Sequence, residues 1–123
     1  MREIKFRGQN FGGHWIYSDK IGLREFFEML RPDGSTAIIN QNTVGEFSGL
    51  KDRNGKEIYE GDILQIGDHK SVTVEFHVGC FKIFKGEVAG TRVMYHLGEF
   101  FHEVIEIIGN IYENTELLTH SLK

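Results

Sequence analysis

Several groups of side chains in this 123-residue chain have types and spacings that could do chemistry, and one resembles a calcium loop. The run DRNG at 52–55 follows positions three to six of a loop that binds Ca²⁺ between two helices. Such a loop needs an oxygen ligand at its first position and a glutamate at its last, where this chain has Leu50 and Gly61. Because both residues of Asn-Gly tolerate a positive φ, the run favours a hairpin turn instead.

Acidic and histidine residues near the C-terminal end have the spacing of metal ligands. Glu99, His102, Glu103 and Glu106 would share one face if their segment were a helix. The residues between and after them are mostly apolar and β-prone, and on a strand residues three apart point to opposite faces. The pattern therefore favours a solvated strand face, and the sequence predicts no metal site and no cofactor.

Two arrangements could serve an enzyme. Cys80, the single cysteine, could act as a nucleophile with a histidine such as His77. It lies in an apolar run, where a free cysteine behaves as a small hydrophobe, so we expect a buried and inert thiol. Tyr59 with Asp62 is the other arrangement that a cleft could use. Since no established catalytic motif occurs, no catalytic residue is assigned, and an enzyme is kept as an alternative.

Basic and aromatic residues are mixed near the N-terminus, as a surface that stacks on nucleic-acid bases requires. Arg7, Trp15 and Tyr17 form this candidate binding surface. The formal net charge of −4 argues against a general nucleic-acid binder, because such binding relies on Lys and Arg that neutralise phosphates. Nucleic acid is therefore an alternative partner and not the favoured one.

Short strands joined by tight turns are predicted for most of the chain, from alternating or β-branched apolar residues. The predicted strands cover residues 2–7, 14–17, 36–39, 63–66, 72–78, 80–84, 92–97 and 104–112. We expect the first two to form a hairpin and the last, which is apolar and β-branched, to pair centrally in a sheet.

One segment departs from the strand period. Leu23, Phe26, Phe27 and Leu30 have the spacing of one helix face, and Pro32 would end that helix. The predicted fold class is therefore α+β and β-rich. It consists of an N-terminal hairpin and one short amphipathic helix, followed by a small curled β-sheet or an SH3-like barrel, since closure removes exposed edges.

The composition agrees with one soluble domain, because 40% apolar and 26% charged residues are ordinary values. One cysteine excludes an internal disulfide and indicates a reducing compartment. The sequence has no apolar run long enough to span a bilayer and no signal-like start. We therefore expect a cytoplasmic protein without membrane contact. It is predicted as a single domain over 1–123, with a hairpin and helix part at 1–42 and a barrel-like part at 43–114.

The stretch TVGEFSGLKDRNGKEIYEGDI at 43–63 resembles the signature block of the YopX family of phage and prophage proteins. The start MREIKFRG, the aromatic element at 15–17 and the run IGNIYEN at 108–114 are also similar to members of that family. The resemblance implies a β-rich protein that assembles into homo-oligomers in a bacterial host cell. It implies no activity and no catalytic residues.

The residues of the central block are interpreted as structural. Asn54-Gly55 would fix strand register, Ile58 and Tyr59 would anchor the packing, and Gly61-Asp62 would form a corner whose carboxylate bonds turn amides. The predicted structural motif comprises Gly49, Asp52, Asn54, Gly55, Ile58, Tyr59, Gly61 and Asp62. With the resemblance, this favours a non-enzymatic binding or assembly protein, whose partners are itself and a phage or host macromolecule.

Overall fold

Strands make up most of the computed structural model, which confirms the β-rich character. The structure describes residues 3–23, 27–77, 80–88, 91–99 and 102–117. The chain divides into two compact units, 1–49 and 50–123, and each has a hydrophobic cluster of its own. The assignment of the whole chain to one domain stays a prediction.

The first unit consists of short antiparallel strands. They are β1 (Phe6–Gln9), β2 (Trp15–Ser18), β3 (Ile21–Leu23), β4 (Phe27–Leu30), β5 (Thr36–Ile38) and the beginning of β6 (Gly45–Lys51). Strand β1 lies between β2 and β6, and β4 lies between β3 and β5. Met29, Ala37 and Ile39 form the buried cluster. Gly8 fits against it because a Cβ there would lie 2.6 Å from an Ile39 methyl group.

The predicted amphipathic helix is wrong, because its segment contains β3 and β4 on either side of residues 24–26, which lie outside the described residues. The two strands pair with Leu23 opposite Phe27 and Ile21 opposite Met29. A tight hairpin thus also brings residues four apart in the sequence opposite each other, as a helix does. Leu23 and Phe27, two of the four residues with the helical spacing, are therefore cross-strand partners in a hairpin.

The second unit is built around one antiparallel sheet. Its strands are β7 (Glu57–Tyr59), β8 (Asp62–Ile66), β9 (His69–His77), β10 (Cys80–Val88), β11 (Thr91–His96) and β12 (Ile105–Asn110). Five of them form the sheet in the order β11-β10-β9-β8-β12. The buried cluster consists of Ile58, Leu64, Ile66, Val72, Val74, Ile83, Leu97 and Ile105. In β8 and β9, cluster residues lie two apart, Leu64 with Ile66 and Val72 with Val74, so each pair points to one face of its strand.

The five-stranded sheet is open among the described residues, and β11 and β12 are its outermost strands. The SH3-like barrel that the sequence analysis allowed is therefore not confirmed. The expectation that β12 pairs centrally is wrong, since β12 ends the strand order and, among the strands that the structure describes, pairs with β8 alone. Of its apolar residues, Ile105 is buried, and a turn contacts the other edge of the strand.

Candidate functional site

The turn at 52–55 lies between β6 and β7. Asp52 and Lys56 pair and close a loop of three residues, 53–55. The Asp52 N–H donates to the Lys56 carbonyl at 2.8 Å, and the Gly55 N–H donates to the Asp52 carbonyl at 3.0 Å. Gly55 has a φ of +80°, whereas Asn54 stays on the negative side. The loop has the pattern of a turn followed by a left-handed glycine, and not the two-residue turn with two positive φ values.

The Asp52 side chain holds this loop together and reaches a distant strand. One carboxylate oxygen, Oδ1, accepts from the N–H groups of Asn54 and Lys56 at 2.9 and 3.0 Å. The other, Oδ2, accepts from the Ile107 N–H at 3.0 Å, across 55 positions of sequence. Asp52 is only 1% exposed, so it is a buried carboxylate with three backbone donors. Such a group is costly to remove, because each donor loses its partner.

A second set of contacts binds the same turn to the outer edge of β12. The Arg53 N–H donates to the Ile105 carbonyl at 2.9 Å. Its guanidinium also contacts the Glu106 carboxylate at 3.0 Å. The bonds from Arg53 to Ile105 and from Ile107 to Asp52 satisfy two β12 backbone groups that an edge strand would otherwise present to another chain. The turn therefore closes one edge of the five-stranded sheet.

The electrostatics of Asp52 favour its charged form. Burial acts to raise its pKa, but the N–H donors of Ile107, Lys56 and Asn54, helped by the Lys56 charge, outweigh burial and hold the pKa below its usual value. The carboxylate is therefore ionised at neutral pH. Charged acceptors form stronger hydrogen bonds than neutral ones, so the ionised state is the one that fastens the turn.

The corner at 61–62 is a second place where the central block contacts a distant part of the second unit. The Tyr59 N–H donates to the Asp62 carboxylate at 2.8 Å, and Tyr59 and Asp62 are each only 1% exposed. Gly61 has a φ of +93°, and a Cβ there would lie 2.9 Å from the Tyr112 ring. The Ile111 N–H donates to the Gly61 carbonyl at 2.9 Å. The corner thus requires glycine both for its backbone and for its contact with the C-terminal turn.

That C-terminal turn, at 110–114, is organised by two asparagines. The Asn110 side-chain oxygen accepts from the N–H groups of Tyr112 and Glu113, each at 3.0 Å. The Asn114 side-chain oxygen accepts from the Asn110 N–H at 3.1 Å. A Cβ on Gly109 would lie 2.6 Å from the same Asn114 oxygen. Each polar residue of this run therefore has a partner within the turn.

The central block and the C-terminal run, which carried the resemblance, are thus joined by hydrogen bonds within the second unit. A family model described as YopX protein matches residues 2–119, nearly the whole chain. The chain belongs to the YopX family. No curated protein is similar enough in sequence to count as a relative.

The remaining residues of the predicted structural motif are Gly49, Ile58 and Tyr59. Gly49 lies in β6 with a φ of +87°, and it is exposed. Ile58 is fully buried in the second cluster. The Tyr59 hydroxyl donates to the Glu57 carboxylate at 3.0 Å. The motif residues from 52 to 62 therefore lie together around the β12 edge and the corner, while Gly49 lies in the first unit.

The candidate binding surface on the first unit combines three side chains of unequal exposure. Phe6 and Ile16 pack on the core, so alternation places Arg7, Trp15 and Tyr17 on the other face of the sheet. The Arg7 guanidinium lies 4.4 Å from the centre of the Trp15 ring. Arg7 is only 7% exposed, whereas Tyr17 is 47% exposed. An arriving partner would thus meet mainly Tyr17 and the partly buried Trp15.

The remaining candidates from the sequence are the Cys80 thiol and the residues with metal-ligand spacing. Cys80 is exposed at the start of β10, so the expected buried thiol is wrong. It lies on the sheet face opposite to Phe81, which packs against the core. Within the described part of the chain, no three His, Cys, Asp or Glu side chains are grouped to hold a metal ion. No described helix is long and apolar enough to cross a membrane.

The sequence analysis named the run at 108–114 only as part of the resemblance and gave no role to Asn110, Tyr112 or Asn114, which complete the contacts at the corner. A usable signal was present for the two asparagines, because Asn side chains commonly bond the backbone a few residues away. No local signal marked the approach of Tyr112 to Gly61, since the two are far apart in the sequence. Nor did any signal mark the bond between Asp52 and Ile107.

Proposed function

We propose that this YopX-family protein is a phage or prophage accessory protein that binds or assembles without catalysis and acts as a homo-oligomer. The observation that supports this most is the position of β11 at one edge of the five-stranded sheet. An outer strand presents N–H and C=O groups that can pair with another strand. Because the opposite edge is closed by the turn at 52–55, β11 is the edge through which the sheet can extend.

An exposed aromatic side chain on the same sheet, that of Phe76, also supports a contact surface. Phe76 is 43% exposed, and its ring meets that of Phe81 edge-on, with 5.0 Å between the ring centres. The register places Phe76 opposite Phe81 and Val74 opposite Ile83. The buried apolar face therefore continues to a solvent-exposed end. Grouped apolar side chains in solvent are a common mark of an interaction site.

The alternatives receive less support from the geometry. Tyr59 and Asp62, the pair considered for an enzyme cleft, are each 1% exposed and hydrogen-bonded within the fold. Arg7, which a nucleic-acid surface would use against phosphates, is nearly buried against Trp15. Direct binding measurements with single- and double-stranded DNA and RNA at low salt would revive the nucleic-acid alternative if they showed saturable binding.

The test measures molar mass by light scattering during size exclusion, with proline introduced at two neighbouring positions of β11. Successive residues of a strand direct their N–H groups to opposite edges, so Val93→Pro and Met94→Pro must differ. One removes a bond to β10 and lowers stability, while the other removes only an outward N–H. We expect the variant that loses only an outward N–H to shift the protein towards monomer, with its melting temperature nearly unchanged.

Two results would count against the proposal. A wild-type chain that stays monomeric at high concentration would remove the homo-oligomer. An oligomer that neither proline variant weakens beyond its effect on stability would show that assembly does not use β11.

A further inference from the structure

The exposed residues Asn54 and Gly55 form the single Asn-Gly sequence of the chain. In such a pair the backbone nitrogen of the glycine can attack the side-chain carbonyl carbon of the asparagine, because glycine has no Cβ to obstruct the approach. A Cβ added at Gly55 would meet no atom within 4 Å, so there is room around the site for a ring to form. We infer that Asn54-Gly55 is a site of spontaneous deamidation, that the Asp52-held turn controls its rate, and that modification there releases the edge of β12.

The reaction needs only the chain and water. The Gly55 nitrogen forms a bond to Cγ of Asn54, the Cγ–Nδ2 bond breaks, and the amide nitrogen leaves as ammonia with the proton from the Gly55 nitrogen. The product is a five-membered cyclic imide. Water then opens the imide at one of its two carbonyl carbons, which produces aspartate or isoaspartate at position 54. No electrons are transferred, and no cofactor is required.

The folded turn slows the first step. The Gly55 nitrogen must be free to attack, but its N–H donates to the Asp52 carbonyl at 3.0 Å. The two flanking amides, of Asn54 and Lys56, are bound to the Asp52 carboxylate at 2.9 and 3.0 Å. The turn must therefore open locally before the attack, and the reaction follows the small open population. Opening includes loss of bonds to a charged acceptor, which corresponds to a slowing of about tenfold or more.

Deamidation at Asn54 would also affect the β12 edge, because the Asp52 carboxylate binds both the turn and β12. Isoaspartate lengthens the main chain at position 54, which displaces the Lys56 N–H from the Asp52 carboxylate. Aspartate adds a negative charge next to that same carboxylate. Either product weakens the hold on Asp52, whose other oxygen accepts from Ile107 of β12. Deamidation of the Asn54 side chain would thus expose a second sheet edge.

The experiment incubates the full folded chain in mildly alkaline buffer and maps deamidation by mass spectrometry and isoaspartyl methylation. The reference is a peptide with the sequence of residues 50–59. Asn42, which is exposed but precedes a threonine, is the internal control, and Asn54→Gln is the matched variant that cannot form the five-membered ring. We expect reaction at Asn54 and not at Asn42, slower than in the peptide by about tenfold or more.

Asp52→Ala should then bring the rate in the chain close to that of the peptide. If this variant does not fold, the wild-type chain in increasing urea below its unfolding transition provides the same comparison. In the isolated isoaspartate product, the Ile107 amide should exchange hydrogen faster than in the unmodified protein. Equal rates in folded chain and peptide would overturn the control by the turn. An unmodified Asn54 in the peptide and in Asp52→Ala would overturn the site itself, and unchanged exchange at Ile107 would overturn the link to β12.

Discussion

At one edge of the five-stranded sheet, β12 contacts a turn whose backbone and carboxylate bond to Ile105 and Ile107. At the other edge, β11 pairs only with β10 in the strand order of the described residues. Both strands have six residues, so length does not distinguish them. The difference lies in what the rest of the chain supplies to each edge.

This difference separates the residues that build the fold from the surface that can meet a partner. The turn and corner residues of the central block serve the β12 edge and the C-terminal turn, where buried backbone groups need partners. They are therefore poor candidates for an active site, although their sequence pattern is the most distinctive in the chain. The proposed partner strand would add at β11, whose outer edge no other strand of the described residues occupies.

Removing the Asp52 carboxylate should have the largest effect on the closed edge. Asp52→Ala leaves three backbone N–H groups without their acceptor, and we expect a loss of about 3 kcal/mol in the free energy of unfolding. Urea denaturation measures it. Asp33→Ala is the matched control, because Asp33 also accepts from a turn amide, that of Ser35, but is exposed. Equal effects of the two variants would show that Asp52 does not hold the β12 edge.

A methyl group at the corner should have the next largest effect. Gly61→Ala combines a φ of +93° with a contact of 2.9 Å to the Tyr112 ring. We expect a loss of about 2 kcal/mol, from backbone strain together with displacement of the C-terminal turn. Gly67→Ala is the control, since Gly67 also has a positive φ but would place its Cβ in open space. Thermal unfolding of both should show a clearly larger decrease for Gly61→Ala; similar decreases would mean that the approach of Tyr112 is unimportant.

The pH dependence of stability provides a smaller and reversible test of the same edge. The folded pKa of Asp52 lies below its usual value of 3.8, so its contribution is fully present above that value. It is lost as the pH falls from there through the folded pKa, because protonation weakens the three acceptor bonds. We expect the wild type to lose more stability on acidification than Asp52→Asn, measured by urea denaturation at each pH. Parallel curves would exclude Asp52 as the responsible group.

The Arg53 side chain should contribute least. Its ion pair with Glu106 has a length of 3.0 Å, but 52% of the Arg53 side chain is exposed, and such pairs are weak and screened by salt. We expect Arg53→Ala to cost about 0.5 kcal/mol, because its backbone bond to Ile105 remains. Lys51→Ala serves as a control for removal of an exposed positive charge. A loss as large as that of Asp52→Ala would mean that side-chain charge, and not backbone pairing, closes the edge.

Local patterns in the sequence led to correct strands where the alternation was clear. The predicted strand at 72–78 corresponds to β9, because one buried face leaves a period of two, and the apolar run at 63–66 lies within β8. The same reasoning failed at 21–30, since a tight hairpin also brings residues four apart opposite each other. Of the three residues predicted as a binding surface on the first unit, Arg7 is buried and Trp15 is partly buried. Neighbouring strands determine which side chains are covered, and a local pattern does not show this.

The family, the β-rich composition of the fold and the turn at Asn54-Gly55 follow from residue types at short range, so they could be predicted before folding was considered. The bond from Ile107 to Asp52, the approach of Tyr112 to Gly61 and the covered edge of β12 arise only when distant segments meet in the folded chain. A carboxylate can accept from any N–H that folding brings within reach, and its partner across 55 positions has no trace in a local period. The position of β11 at the other edge follows from the strand order, which local patterns do not encode.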